Sequence, residues 1–133
     1  MDSKELATIA LKARAHARAP YSNFKVGAAL LTKSGKVYTG SNVESSSYGL
    51  TICAERVALV KALSEGDDQF DSIAIVSETA ASPCGACRQL LWDYTKDIPV
   101  YLSDGIGEIT KYNLSDLLTH PFEDSQLPST NGR

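Results

Sequence analysis

Histidine is scarce in this chain, at two residues in 133, and cysteine is limited to three. Three thiols cannot all pair, which argues against a disulfide framework. No apolar run approaches the length of a membrane span, which excludes a transmembrane helix. No basic stretch is dense enough for a nucleic-acid footprint, and the net charge of −3 points the same way. The first residues, Met1-Asp2-Ser3-Lys4-Glu5, are charged and lead into no signal-peptide core, so the expected location is the cytoplasm. No internal repeat and no linker interrupts the sequence. What remains is an ordinary globular composition, 43% apolar and 22% charged, at a length that suits one domain, taken as residues 1–133.

Hydrophobic periodicity predicts the elements in order. Residues 3–18 read as an amphipathic helix, with Ser3 as N-cap and Pro20 beyond its end. Tyr21 to Thr32 reads as a buried strand, Lys33–Lys36 as a turn, and Val37 to Val43 as the return strand of a hairpin. Helices are expected from Cys53 to Leu63 and from Cys84 to about Tyr94, with a strand from Phe70 to Val76 between them. Strands at Ile98–Leu102 and Glu108–Tyr112 and a short capped helix at Asn113–Leu118 complete the pattern. Residues 119–133 read as a tail whose last residues are expected to be disordered. The order α-β-β-α-β-α-β-β-α implies an α/β fold, with one mixed sheet of five strands covered by helices on both faces.

All three cysteines fall in two short segments, Thr51-Ile52-Cys53-Ala54-Glu55-Arg56 and Ser82-Pro83-Cys84-Gly85-Ala86-Cys87-Arg88. Cys84 and Cys87 stand three apart at a helix start, which puts both sulfurs on one face. Cys-x-x-Cys is a familiar half of a zinc site, and Cys53 begins a second predicted helix. Unpaired N–H groups at the two helix starts favour anions and lower thiol pKa values. Three thiolates outweigh the charge of Zn²⁺ and would leave it a poor Lewis acid. The helix termini relieve that excess, as does Arg56 if its guanidinium reaches a sulfur. Three protein ligands also leave one tetrahedral position open, which marks a catalytic site. Glu55, two residues after Cys53, is placed to lean toward that open side and carry protons to and from a water.

Other readings compete. A redox dithiol explains Cys84 and Cys87 but leaves Cys53 and Glu55 idle. A closed structural site needs a fourth ligand, and only His16 and His120 are on offer, both far along the chain. Three unrelated buried cysteines are the remaining choice. From spacing alone, Asn42 starts a turn and Glu44 is solvated, while Trp92 packs in the core.

The sequence resembles the small homotetrameric cytidine deaminases of pyrimidine salvage. The likeness covers about residues 5–122. It is carried by Ala19-Pro20-Tyr21-Ser22-Asn23-Phe24-Lys25-Val26-Gly27-Ala28-Ala29-Leu30-Leu31, by Asn42-Val43-Glu44, and by Tyr48 through Arg56 and Ser82 through Gln89. The resemblance implies a three-layer α-β-α sandwich and one zinc ion per subunit. Cys53, Cys84 and Cys87 would be its ligands, Glu55 the proton shuttle, and Arg56 the partner of a ligand thiolate. Asn42 and Glu44 would hold the ribose at its 3′-hydroxyl, Phe24 would pack on the pyrimidine, and the backbone at Ala54 would read the base. Tyr48 and Phe122 would enter a neighbouring subunit's site, so that each site is completed by another chain. The implied reaction is deamination of cytidine and 2′-deoxycytidine, with no nucleic-acid or membrane partner. A deaminase of another amino-substituted ring and a non-catalytic zinc-stabilised module are the alternatives.

Overall fold

The computed structural model describes residues 1–128. Helix α1 spans Ser3–Arg14 and is started by Asp2, one residue earlier than the expected Ser3. The Asp2 side chain accepts from the N–H of Glu5 at 2.9 Å while the Glu5 carboxylate accepts from Asp2 N–H, a reciprocal capping box. The helix stops four residues short of the expected end. Beyond it the backbone turns to tertiary pairing: Arg18 N–H donates to Asn42 O and Arg18 O accepts from Glu44 N–H.

Strand β1 (Val26–Thr32) pairs antiparallel with β2 (Val37–Ser41) on one side and with β3 (Phe70–Ser77) on the other. Helix α2 (Ala54–Ser64) connects β2 to β3. Helix α3 (Gly85–Thr95) carries the chain over to β4 (Pro99–Ser103), which lies parallel to β3. Strand β5 (Ile109–Asn113) closes the edge antiparallel to β4, and a one-turn helix α4 (Leu114–Leu117) follows it. The sheet order is β2-β1-β3-β4-β5. The expected α/β fold with a mixed five-stranded sheet is therefore what forms, and the element order is as predicted.

Alternation along the central strands builds the layers, because successive side chains point to opposite faces. Ala29 and Leu31 of β1 and Ala74 and Val76 of β3 pack with Leu6, Ala7 and Ala10 of α1. Ala28 and Leu30, with Ile73 and Ile75, pack instead with Ala58, Leu59 and Ala62 of α2 and Leu91 of α3. Two glycines set how closely the helices approach. A Cβ at Gly27 would lie 2.0 Å from Ala10 O, and one at Gly40 would lie 2.2 Å from Ala54 O. Only hydrogen fits there.

Two strand boundaries differ from expectation for one reason. β1 begins at Val26 rather than Tyr21, and β2 ends at Ser41 rather than Val43. The Asn42 side chain takes the N–H of Val26 at 2.9 Å and donates to Phe24 O at 2.8 Å. The chain on either side is thereby fastened by side chains rather than by the ladder. Val43 pairs with Ile52 and Arg18 as isolated bridges. The disorder expected at the end of the tail concerns residues 129–133, which lie outside the described residues.

Candidate metal centre and active site

The cysteines stand where extended backbone turns into helix. Cys53 is the N-cap of α2 and Cys84 the N-cap of α3, each in β conformation and neither using its side chain to cap. The first ladder bonds run from Val57 N to Cys53 O and from Arg88 N to Cys84 O. The N–H groups of residues 54–56 and 85–87 are therefore not used by the helices' own ladders, and they form two electropositive ends. Cys87 lies in the first turn of α3 and is 1% exposed.

The three sulfurs and a Glu55 carboxylate oxygen all lie within 4.8 Å of one another, and no histidine joins them among the described residues. Cys53 Sγ is 3.9 Å from Cys84 Sγ. Two thiolates on one tetrahedral zinc, each about 2.3 Å from it, stand about 3.8 Å apart, whereas a disulfide needs about 2 Å. The thiol set thus fits a single zinc ion, which Cys53, Cys84 and Cys87 would hold with the Glu55 carboxylate close by. His16 and His120 are both exposed and outside the cluster.

Charge within the cluster is uneven. The Cys53 thiol is brought down to about 7, chiefly by its hydrogen bond with Cys87. Cys87 is pushed up by that same bond, by burial and by the Glu55 carboxylate. The Arg56 guanidinium approaches this buried sulfur, with Nη2 3.8 Å from Cys87 Sγ, and the contact raises the guanidinium pKa. Glu55 is 4% exposed in the first turn of α2.

A cavity of about 250 Å³ opens on this cluster. Cys53, Ala54, Glu55 and Cys84 line it, together with Phe24, Asn42, Glu44, Thr51 and Ser82. It adjoins a second cavity of about 350 Å³ lined by Tyr21, Ser22, Glu44, Ser45, Tyr48 and Thr51. A larger cavity, about 720 Å³, lies between α1 and the β4–β5 turn and has none of the cysteines in its lining. The convergent chemistry places the site in the smaller one.

Glu44 is not simply solvated. Its Oε1 accepts from the N–H groups of Tyr21 at 2.9 Å and Ser22 at 3.1 Å, and its Oε2 accepts from the Ser22 hydroxyl. These bonds, led by the Ser22 hydroxyl, hold its pKa below the usual carboxylate range. Asn42 is buried and braces the Phe24 loop as described above. Tyr48 is 77% exposed beside Tyr21, their rings edge-to-face at 6.3 Å. Phe122 is absent from both cavity linings, and the residue is 53% exposed.

Sequence reasoning passed over two residues of this site. Ser22 anchors Glu44 and also accepts from Phe24 N–H at 3.0 Å, a serine-to-backbone pattern two residues apart that the Ser22-Asn23-Phe24 stretch hints at. Arg88 donates from Nε to Pro83 O at 2.7 Å and from Nη2 to the Ser82 hydroxyl, and so fixes the loop that ends at Cys84. No spacing signal marks that role.

The family described as "Cytidine and deoxycytidylate deaminase zinc-binding region" matches over residues 1–102. A cytidine deaminase of Halalkalibacterium halodurans is 48% identical over 125 residues, covering 92% of this chain and 95% of the relative. One from Sporosarcina psychrophila is 43% identical over 130 residues, covering 96% of each. Among solved structures, the cytidine deaminase of Burkholderia pseudomallei superposes with a TM-score of 0.88 at 47% identity, covering 92% of this chain and all of that one.

Proposed function

The chain belongs to the cytidine and deoxycytidylate deaminase family, and on that premise we propose that it hydrolyses cytidine and 2′-deoxycytidine to the uridine forms with release of ammonia. The observation that carries this reading is the cluster of three thiols and one buried carboxylate, of which Cys53, Cys84 and Glu55 line a cavity.

Cys53, Cys84 and Cys87 are the residues that would hold zinc. Bound there, zinc supplies the Lewis acidity that makes a water nucleophilic at neutral pH. Glu55 carries the protons. It takes one from the attacking water, places it on ring nitrogen 3 of the cytosine, and passes one to the amine leaving carbon 4. One water enters and one ammonia departs. Arg56 draws charge from Cys87, and the two helix starts do the same for the cluster as a whole.

The other walls orient the nucleoside. Phe24 packs on the pyrimidine and the Ala54 backbone meets its edge. Glu44 Oε1 already accepts twice and Oε2 once, so Oε2 has room for about one more donor. Asn42 retains one amide hydrogen beyond the one given to Phe24 O. A single sugar hydroxyl that donates to Glu44 and accepts from Asn42 suits this capacity, and the 3′-hydroxyl fills the role. The 2′-hydroxyl is not needed, so both nucleosides are substrates.

The assembly is a homotetramer in which Tyr48 and Phe122 complete a neighbouring subunit's site. The exposed Tyr21 and Tyr48, which line the adjoining cavity, support this, as do the exposed Val43, Leu50 and Ile52 close by in the sequence. The reaction serves pyrimidine salvage in the cytoplasm.

Incubation of purified protein with cytidine and with deoxycytidine, followed by ultraviolet absorbance, tests the reading alongside a zinc assay of the same sample. The expected result is conversion of both nucleosides with about one zinc per chain. Zinc-loaded protein that converts neither overturns it.

A further inference from the structure

Helix α3 carries Cys87 on its first turn and has the metal-binding loop at its head. Three of its other side chains also reach the C-terminal part of the chain: Arg88 at the last residue of α4, Gln89 and Trp92 at the segment that follows it. Arg88 Nη1 donates to Leu117 O, Gln89 Nε2 donates to Phe122 O at 2.7 Å, and Trp92 Nε1 donates to Glu123 Oε1 at 3.3 Å. Residues 88 and 92 share one helix row and residue 89 starts the next, so the three form a continuous patch. The segment from 118 to 123 has no regular structure of its own, and His120 turns it through a positive φ of 51°. Gln89 is itself steadied by donating to Asp93 Oδ1 at 3.0 Å.

Phe122 combines a fastened backbone with an exposed apolar residue. Its carbonyl is tied to α3 while the residue as a whole is about half exposed. A backbone held by a hydrogen bond beside an exposed apolar residue suits insertion into another molecule at a lower entropy cost than a loose tail would pay.

We propose that Arg88, Gln89 and Trp92 are positioning residues that hold the C-terminal segment along α3, so that Phe122 is delivered to the neighbouring subunit's pocket. This rests on the reading of Phe122 given under the proposed function. Its consequence is that one helix serves two sites: its start holds the chain's own metal ligands, and its flank aims a residue at the pocket next door.

Gln89→Glu tests the brace, with Gln89→Ala as a neutral second variant, both in the full-length zinc-loaded protein. A carboxylate at 89 faces the Phe122 carbonyl without a donor. Trp92 is the only tryptophan in the chain, so its emission reports on the segment. The expected result is a red-shifted Trp92 emission and a KM for cytidine raised about three- to tenfold, the loss of one modest hydrogen bond, with kcat and zinc content little changed. Phe122→Ala is measured in parallel and should raise KM as well. If Phe122→Ala raises KM and neither Gln89 variant does, the brace is refuted and the role of Phe122 stands. If Phe122→Ala leaves KM unchanged, the premise fails and the proposal fails with it. Zinc loss in the Gln89 variants would place the residue's effect at the metal and would also overturn the proposal.

Discussion

Arg56 reaches from the first turn of α2 to the sulfur in the first turn of α3, Nη2 lying 3.8 Å from Cys87 Sγ. Of the three thiols Cys87 is the most buried, and its pKa is driven up by its hydrogen bond with Cys53, by burial and by Glu55. A fixed cation at that sulfur favours the thiolate over the thiol. Arg56→Ala should therefore weaken zinc retention or turnover by about ten- to a hundredfold, the usual cost of losing a residue behind a metal ligand. Arg56→Lys should recover part of the loss. Zinc titration against a chelator and kcat measured together check this, and wild-type values for the alanine variant would remove Arg56 from the site.

Glu55 lies at the same cluster but is not needed to complete the thiol set. Glu55→Gln keeps its size and removes its capacity to carry protons. About one zinc per chain should remain, while kcat falls by about a hundredfold or more. Turnover close to the parent's would assign the proton transfers elsewhere.

The lowered pKa of Glu44 has a pH signature. Its leading cause is the Ser22 hydroxyl, followed by backbone N–H groups of Ser22 and Tyr21. A carboxylate whose folded pKa is lowered gives its full stabilisation above the ordinary value of about 4.3. It loses that stabilisation as pH falls through the lower folded value. KM for cytidine should then be flat from neutrality to about pH 5 and rise in more acid solution, with zinc content followed at each point. Ser22→Ala should move the onset of that rise to higher pH. An onset that stays in place would mean that Ser22 does not set the charge on Glu44.

The two glycine contacts separate stability from catalysis. A Cβ at Gly27 runs into Ala10 O and Arg14 N of α1, on the face away from the metal site. A Cβ at Gly40 runs into Ala54 O and Ala58 N, at the start of the helix that carries Glu55. Each alanine variant should lose about 1–3 kcal/mol of stability through overpacking. At temperatures where both remain folded, Gly40→Ala should also depress kcat, and Gly27→Ala much less. Thermal melts with assays at a common low temperature check the contrast. Equal activity losses would deny the directional effect.

Much of this was legible in the sequence, and the exceptions share a cause. Period-2 and helical patterns located β3, α2 and α3, because those elements bury continuous apolar faces. The cysteine segments announced a metal centre, because Cys-x-Glu and Cys-x-x-Cys are local signals at helix starts. The start of α1 was also readable: Asp2-x-x-Glu5 is a capping box, and Ser3 followed by Leu6 is not. The limits of β1 and β2 were not readable, because Asn42 and Glu44 bond to a loop about twenty residues earlier in the chain. Spacing also says nothing of Arg88, whose acceptors include a carbonyl 29 residues away. Helix and strand periods report local burial, whereas these ties are made only once the fold has assembled.

Cys53 and Cys84 occupy positions where serine is among the preferred residues for launching a helix. A serine there would offer an oxygen to the idle N–H groups, which the thiols leave uncapped. Mutation to serine should supply such a cap, whose loss costs about 0.5–2 kcal/mol at other helix starts, while removing a thiol from the set that fits the ion. At these two points the helix start and the metal grip make opposite demands, and the residue present forgoes the cap in favour of the grip.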